Sequence, residues 1–128
     1  MLILILFCLT STLTAKEQVL EIVSYNVQNL FDANHDEGHE DYEFLPVNHP
    51  LKKEGCKKQP KAKRRNCKKL NWTEKSVKLK ISQIKKAIGN PDILAIVEIE
   101  NENMAKKLAL ELGFSNYIIS DIHDFRGI

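Results

Sequence analysis

Apolar positions along this chain repeat with two different periods. Glu21 to Tyr25 contains the β-branched pair Ile22 and Val23 and follows Val19 and Leu20, which predicts the beginning of a strand. Val77, Ile81, Ile84 and Ile88 recur at spacings of three and four, which predicts an amphipathic helix over 74–88. Thr73 is its N-cap candidate, with Ser76 as an alternative, and Gly89-Asn90-Pro91 ends it. Ile93 to Val97 is a continuous apolar run, the pattern of a strand covered on both faces. Met104, Leu108 and Leu112 share one face of a second helix over 101–112, stopped by Gly113, and Tyr117 to Ile119 is expected to form a third strand. Residues 32–70 show neither period and contain Pro46, Pro50 and Pro60, so they read as one long loop or insertion. Strand, helix, strand, helix, strand is an α/β order, with the first two strands side by side.

Both of the first two strands run directly into polar side chains. Ser24-Tyr25-Asn26-Val27-Gln28-Asn29-Leu30-Phe31-Asp32 carries the carboxamide of Asn26. Pro91-Asp92-Ile93-Leu94-Ala95-Ile96-Val97-Glu98-Ile99-Glu100-Asn101 carries the carboxylate of Glu98. An unpaired ionised carboxylate cannot rest in a dry core. Glu98 therefore either emerges where its strand ends or binds a cation, and adjacent strands could place Asn26 and Glu98 around one divalent ion. Glu100 reads as an acid at the entry to the following helix.

Charge sharpens this picture more than composition does. The net charge is only +2, yet 51–90 holds fifteen Lys and Arg against Glu54 and Glu74, a balance of +13. Residues 32–44 hold six acids and no Lys or Arg. The basic block suits a polyanion, with nucleic acid the expected partner, and few aromatics interleave it, so base stacking is not indicated. A solvated surface loop is the alternative. In the acidic block, Asp32, Asn34, Asp36 and Glu43 match calcium-loop positions, but Gly38 falls one place late and no amphipathic helix precedes Asp32. His35 and His39 lie four apart without the zinc-protease pattern.

Residues 1–15 are apolar, then small and hydroxylated, with no charge before Lys16. They are too short to cross a bilayer and read as a signal peptide, with a buried strand as the alternative. The chain is thus expected to be exported, periplasmic or extracellular, with no stable membrane insertion after cleavage. In an oxidising compartment Cys56 and Cys67 would pair in a disulfide closing a short loop, and they are too few to form a zinc site without nearby histidine pairs.

The two polar-ended strands, together with Asp124-Phe125-Arg126-Gly127-Ile128, resemble the N-terminal part of the endonuclease/exonuclease/phosphatase superfamily, especially its secreted bacterial branch. The resemblance spans roughly Ile22 to Ile128, with the basic segment as a variable insertion. It implies the four-layer α+β sandwich of the DNase I-like type, of which 16–128 would be the N-terminal half. It also implies that Asn26 is the catalytic-site Asn organising metal and phosphate, that Glu98 is the metal ligand, and that Arg126 lies near the substrate phosphate. The implied cofactor is Mg2+, or another divalent cation such as Mn2+ or Ca2+. Gln28 and Val97 depart from the family pattern, standing where an acid and a Gln are frequent.

The family's general-base Asp, its Asp-x-Asn pair and its Ser-Asp-His motif have no counterpart among these residues. The expected role is thus the N-terminal part of an exported metal-dependent phosphodiesterase, most simply a nuclease, with the 128-residue chain alone inactive. The rivals are a phosphatase or lipid phosphodiesterase of the same superfamily, and a non-catalytic exported polyanion-binding protein. Half of a layered sandwich leaves apolar faces open, so the isolated chain is expected to be marginally stable and prone to aggregate.

Overall fold

A computed structural model describes residues 17–120. The expected signal peptide and Arg126 lie outside those residues. The elements are β1 (Ile22–Leu30), a short 3-10 turn (Tyr42–Phe44), α1 (Lys52–Lys58), α2 (Lys61–Lys69), α3 (Glu74–Ile88), β2 (Ile93–Ile99) and α4 (Glu102–Leu112). The chain is therefore a mixed α/β structure with a small parallel sheet. β1 and β2 pair in parallel, with Ile22 opposite Ile93 and Asn26 opposite Val97. Parallel neighbours need a crossover long enough to return the chain to the same end of the sheet, and α3 supplies it.

α3 and α4 begin and end where their sequences predict. Ser76 N–H donates to Thr73 Oγ1 and Thr73 N–H donates to Ser76 Oγ, each at 3.3 Å, so both residues act in one capping box. Asn101 Oδ1 accepts from Met104 N–H at 3.0 Å and caps α4. Gly113, at φ 86°, closes α4 in the left-handed conformation that a side chain would penalise. The predicted stripe Val77, Ile81, Ile84 and Ile88 is buried, and joins Met104, Leu108 and Leu112 of α4 against Val27 and Leu30 of β1. Burying side chains of this size contributes roughly 1.5–3 kcal/mol each.

Three expectations need correction. Residues 32–70 are not one loop, because the 3-10 turn, α1 and α2 lie within them. These helices carry no apolar stripe. Their order comes instead from a disulfide between Cys56 and Cys67, with Cα atoms 5.7 Å apart, and from Lys52, whose Nζ donates to the carbonyls of Tyr42, Glu43 and Leu45. Gly55 packs so closely on the Tyr42 ring that any Cβ would collide with it, and the Phe31 and Phe44 rings stack 4.0 Å apart beneath.

Tyr117–Ile119 is not a strand. No described strand pairs with it, and Ile118 is fully exposed. Among the described residues β2 is covered on one face only. Leu94 and Ile96 pack on the core, while Ile93 and Val97 are 49% and 53% exposed. No described helix is long and apolar enough to cross a membrane.

Candidate functional site

Asn26 and Glu98 meet at the C-terminal ends of the paired strands. Asn26 Nδ2 donates to Glu98 Oε1 at 2.8 Å, and Asn26 Oδ1 accepts from Gln28 N–H at 2.6 Å. The carboxamide is thus fixed at both ends, and it in turn fixes the Glu98 rotamer. Glu98 is half-buried, and its second oxygen accepts no hydrogen bond among the described residues.

The backbone around the pair is strained in a localised way. Asn26 pairs with Val97 and Leu30 with Ile99, so Val27, Gln28 and Asn29 stand opposite Glu98 alone. Gln28, Asn29 and Glu98 have φ of 54°, 65° and 66°, and they are the only non-glycine residues with positive φ among those described. A left-handed conformation costs roughly 1–2 kcal/mol for most L-residues. Such strain persists only where the surroundings enforce it, and it gathers at functional sites.

Lys80 of α3 supplies much of the enforcement. Its Nζ donates to the carbonyl oxygens of Gln28 and Asn29, the latter at 2.9 Å, and lies 5.5 Å from the centre of the Trp72 ring. Trp72 is itself anchored through Nε1–H to the Phe31 carbonyl at 3.0 Å. Burial pulls the Lys80 ammonium below its ordinary pKa, and the charge of Glu98 opposes that shift. Sequence reasoning missed Lys80, although its position was informative. It stands three residues after Val77 and beside Ile81, on the flank of the stripe that faces β1. Lys80→Met is expected to cost about 1–2 kcal/mol in urea denaturation, because two bulge carbonyls lose their donor. Its amide shift changes should concentrate at 28–29 and 98, and unperturbed shifts there would show that the ammonium does not hold the bulge.

Beside the pair lies a second polar cluster, formed by Glu100 and the acidic segment. Glu100 is 9% exposed, its N–H donates to the Leu30 carbonyl, and its Oε2 accepts from Asp32 N–H at 2.7 Å. Asp41 is fully buried, accepting from Asp36 N–H at 2.7 Å and pairing with His35 Nδ1. Asn101 Nδ2 donates to Asp36 at 3.1 Å. The segment is therefore tied to the β2–α4 junction rather than freely solvated. Burial pushes the Glu100 carboxyl from the ordinary 4.5 up to about 8; the Asp32 N–H opposes this, and the charges of Asp32, Asp36 and Asp41 add to it. Among the described residues Glu100 Oε1 is buried without a hydrogen-bond partner, which disfavours the charged form of the carboxyl.

No group of three or more His, Cys, Asp or Glu side chains converges as a metal cage among the described residues. Glu98 thus offers one anionic oxygen at a fixed position. Mg2+ requires little more than this from a protein, since it keeps several waters and takes further oxygens from a phosphate substrate. The acidic segment approaches the same sheet end, but Asp32 and Asp41 accept from backbone N–H groups, Asp41 also pairs with His35, and Asp36 accepts from Asn101 Nδ2.

Comparison with known proteins returned no match: no family model, curated protein or solved structure resembles the chain significantly.

Proposed function

We propose that the Asn26–Glu98 pair is one wall of a divalent-metal site that binds a phosphodiester, in an exported protein of the endonuclease/exonuclease/phosphatase type with a DNase I-like sandwich. The observation that carries this reading is the pair itself. A carboxamide locked at both ends holds a carboxylate whose other oxygen accepts no hydrogen bond from the described residues, inside a bulge where all their non-glycine positive-φ strain collects. Glu98 would hold Mg2+ or another hard divalent ion, Mn2+ and Ca2+ included. A cation bound there polarises a phosphoryl oxygen and neutralises charge that develops on it.

The chain's own residues do the positioning. Asn26 sets the Glu98 carboxylate, Lys80 holds the carbonyls of the bulge, and Trp72 holds Lys80. Lys80 also adds positive charge close to where a phosphate would rest. Arg126, outside the described residues, is proposed from the resemblance to lie near that phosphate. Nucleic acid is the favoured substrate because of the basic block at 51–90. An exported location would preserve the Cys56–Cys67 bond.

A ligand that binds only the native state raises its stability by RT ln(1 + [L]/Kd). Mg2+ at ten times its Kd is therefore expected to stabilise the chain by about 1.4 kcal/mol, and Glu98→Gln to abolish the effect while leaving the metal-free fold intact. Equal stabilisation of wild type and Glu98→Gln by Mg2+ would remove Glu98 from the site.

A further inference from the structure

α1 and α2 form a helical hairpin whose exposed residues are mostly cationic. From Lys52 to Lys69, ten residues are Lys or Arg and one, Glu54, is acidic. Lys52 is buried and Arg64 half-buried, which leaves eight exposed cations on two helices of seven and nine residues. Helices this short are not stable alone in water. Like charges four residues apart, such as Lys53 with Lys57 and Lys61 with Arg65, weaken them further.

The fold nonetheless holds this repulsive surface in one shape. The disulfide ties the middle of α1 to the C-terminal part of α2, Arg64 Nε donates to the Gln59 carbonyl across the hinge at 2.7 Å, and Lys52 fastens the base of the hairpin to Tyr42–Leu45. A loop that only needed solvation would require none of these restraints. A rigid array of cations concentrates positive potential and loses little entropy when it meets an anion of matching extent.

The chemistry of the surface narrows the partner. The hairpin carries no aromatic residue, so it offers no stacking platform for single-stranded bases. It has no apolar face to enter a bilayer; its buried residues are Lys52, Gly55, Cys56 and Cys67, all turned inward. What remains is a run of point charges along α2, about 13 Å long, which matches roughly four base pairs of duplex axis. The hinge at Gln59, Pro60 and Lys63 borders a cleft of about 240 Å3 whose far side includes Asn29 of the strained bulge. Glu40 and Glu43 also line that cleft and would repel phosphate, so the anion is expected on the outer face of the hairpin.

We propose that the α1–α2 hairpin is a docking surface for the phosphate backbone of duplex nucleic acid, preorganised by the Cys56–Cys67 disulfide. It deepens the phosphodiester reading by naming the surface that would hold the nucleic-acid backbone, and it rests on that reading only for what happens to a bound phosphate. The test measures binding of the full chain to a fluorescent DNA duplex across a salt series, with divalent cations chelated. The affinity of the wild type is expected to fall with salt at a log–log slope of about −4 to −5, each neutralised phosphate contributing about −0.9. The variant Lys61→Gln/Lys63→Gln/Arg65→Gln/Lys68→Gln, altered only at exposed positions, should lose about 3 from the magnitude of that slope. Cys56→Ser/Cys67→Ser should weaken duplex binding at least fivefold with its charge unchanged.

An unchanged slope in the four-Gln variant would overturn the proposal. So would tighter binding to single strands than to duplex, or binding to phosphatidylserine vesicles in place of DNA. Loss of Mg2+ stabilisation with duplex binding intact would count against the Glu98 site alone, so the two failures are distinguishable.

Discussion

Lys52→Met is expected to destabilise the chain by about 3 kcal/mol, more than any other single substitution considered, although the residue lies in the most polar part of the sequence. The Lys52 side chain is 2% exposed and its ammonium donates to the carbonyls of Tyr42, Glu43 and Leu45 at 3.2, 3.0 and 2.7 Å. Methionine fills the same volume but leaves three carbonyls without that donor, each costing about 1–3 kcal/mol where water cannot replace it. Two effects reduce the sum. Leu45 O keeps the N–H of Trp72 at 3.3 Å, and the burial that pulls the Lys52 ammonium below its ordinary pKa no longer opposes folding. Urea denaturation should show the full loss, and amide exchange should show it in α1 and α2 before α3. A loss below 1 kcal/mol would mean that the hairpin is held without Lys52, by the disulfide and the Arg64–Gln59 hydrogen bond.

The second large effect is a pH dependence carried by Glu100. In the unfolded chain its carboxyl loses its proton near the ordinary 4.5, whereas in the fold burial holds the proton until about 8. Between those values the native state binds more protons than the unfolded state, so stability falls as pH rises through the window. The stabilising contribution is complete below 4.5 and gone above 8. Glu100→Gln keeps an acceptor for Asp32 N–H but cannot ionise. In metal-free buffer, wild type and variant should be similarly stable at pH 5, and the variant more stable by about 2–3 kcal/mol at pH 8 once partial solvent access is allowed for. Parallel stability curves for the two proteins across this window would show that Glu100 is ionised in the fold throughout.

Sequence and structure agree where apolar periodicity decides the outcome. The stripe Val77–Ile88 and its Thr73 cap defined α3, and Met104, Leu108 and Leu112 defined α4, because each buries one face in a shared core. The adjacent placement of β1 and β2 followed from the α/β order, and the structure pairs them in parallel. α1 and α2 escaped notice because a disulfide and a buried lysine, not an apolar stripe, maintain them. Tyr117–Ile119 has strand-like residues but no described ladder to join, and pairing is a tertiary fact.

At the site, Asn26 and Glu98 were legible as polar side chains at strand ends. Their mutual hydrogen bond was not, since a bulge that sets three residues against one shifts the register beyond simple alternation. Lys80 was hidden among the Lys residues of a helix whose solvent face is equally basic. Glu100 looked like a helix-entry acid, yet Asn101 caps the helix and Glu100 turns inward to the Asp32 amide.

The central claim is that Glu98, held by Asn26 through Oε1, takes a divalent cation on its other oxygen. Paramagnetic broadening by Mn2+ in the NMR spectrum of the isotope-labelled chain tests it most directly. Substoichiometric Mn2+ should first erase the side-chain amide signal of Asn26 and the backbone signals of 28–29 and 98, Mg2+ should restore them by competition, and Glu98→Gln should abolish the selectivity. Broadening that begins instead in the acidic segment at 32–44, or that is unchanged in Glu98→Gln, would contradict the account.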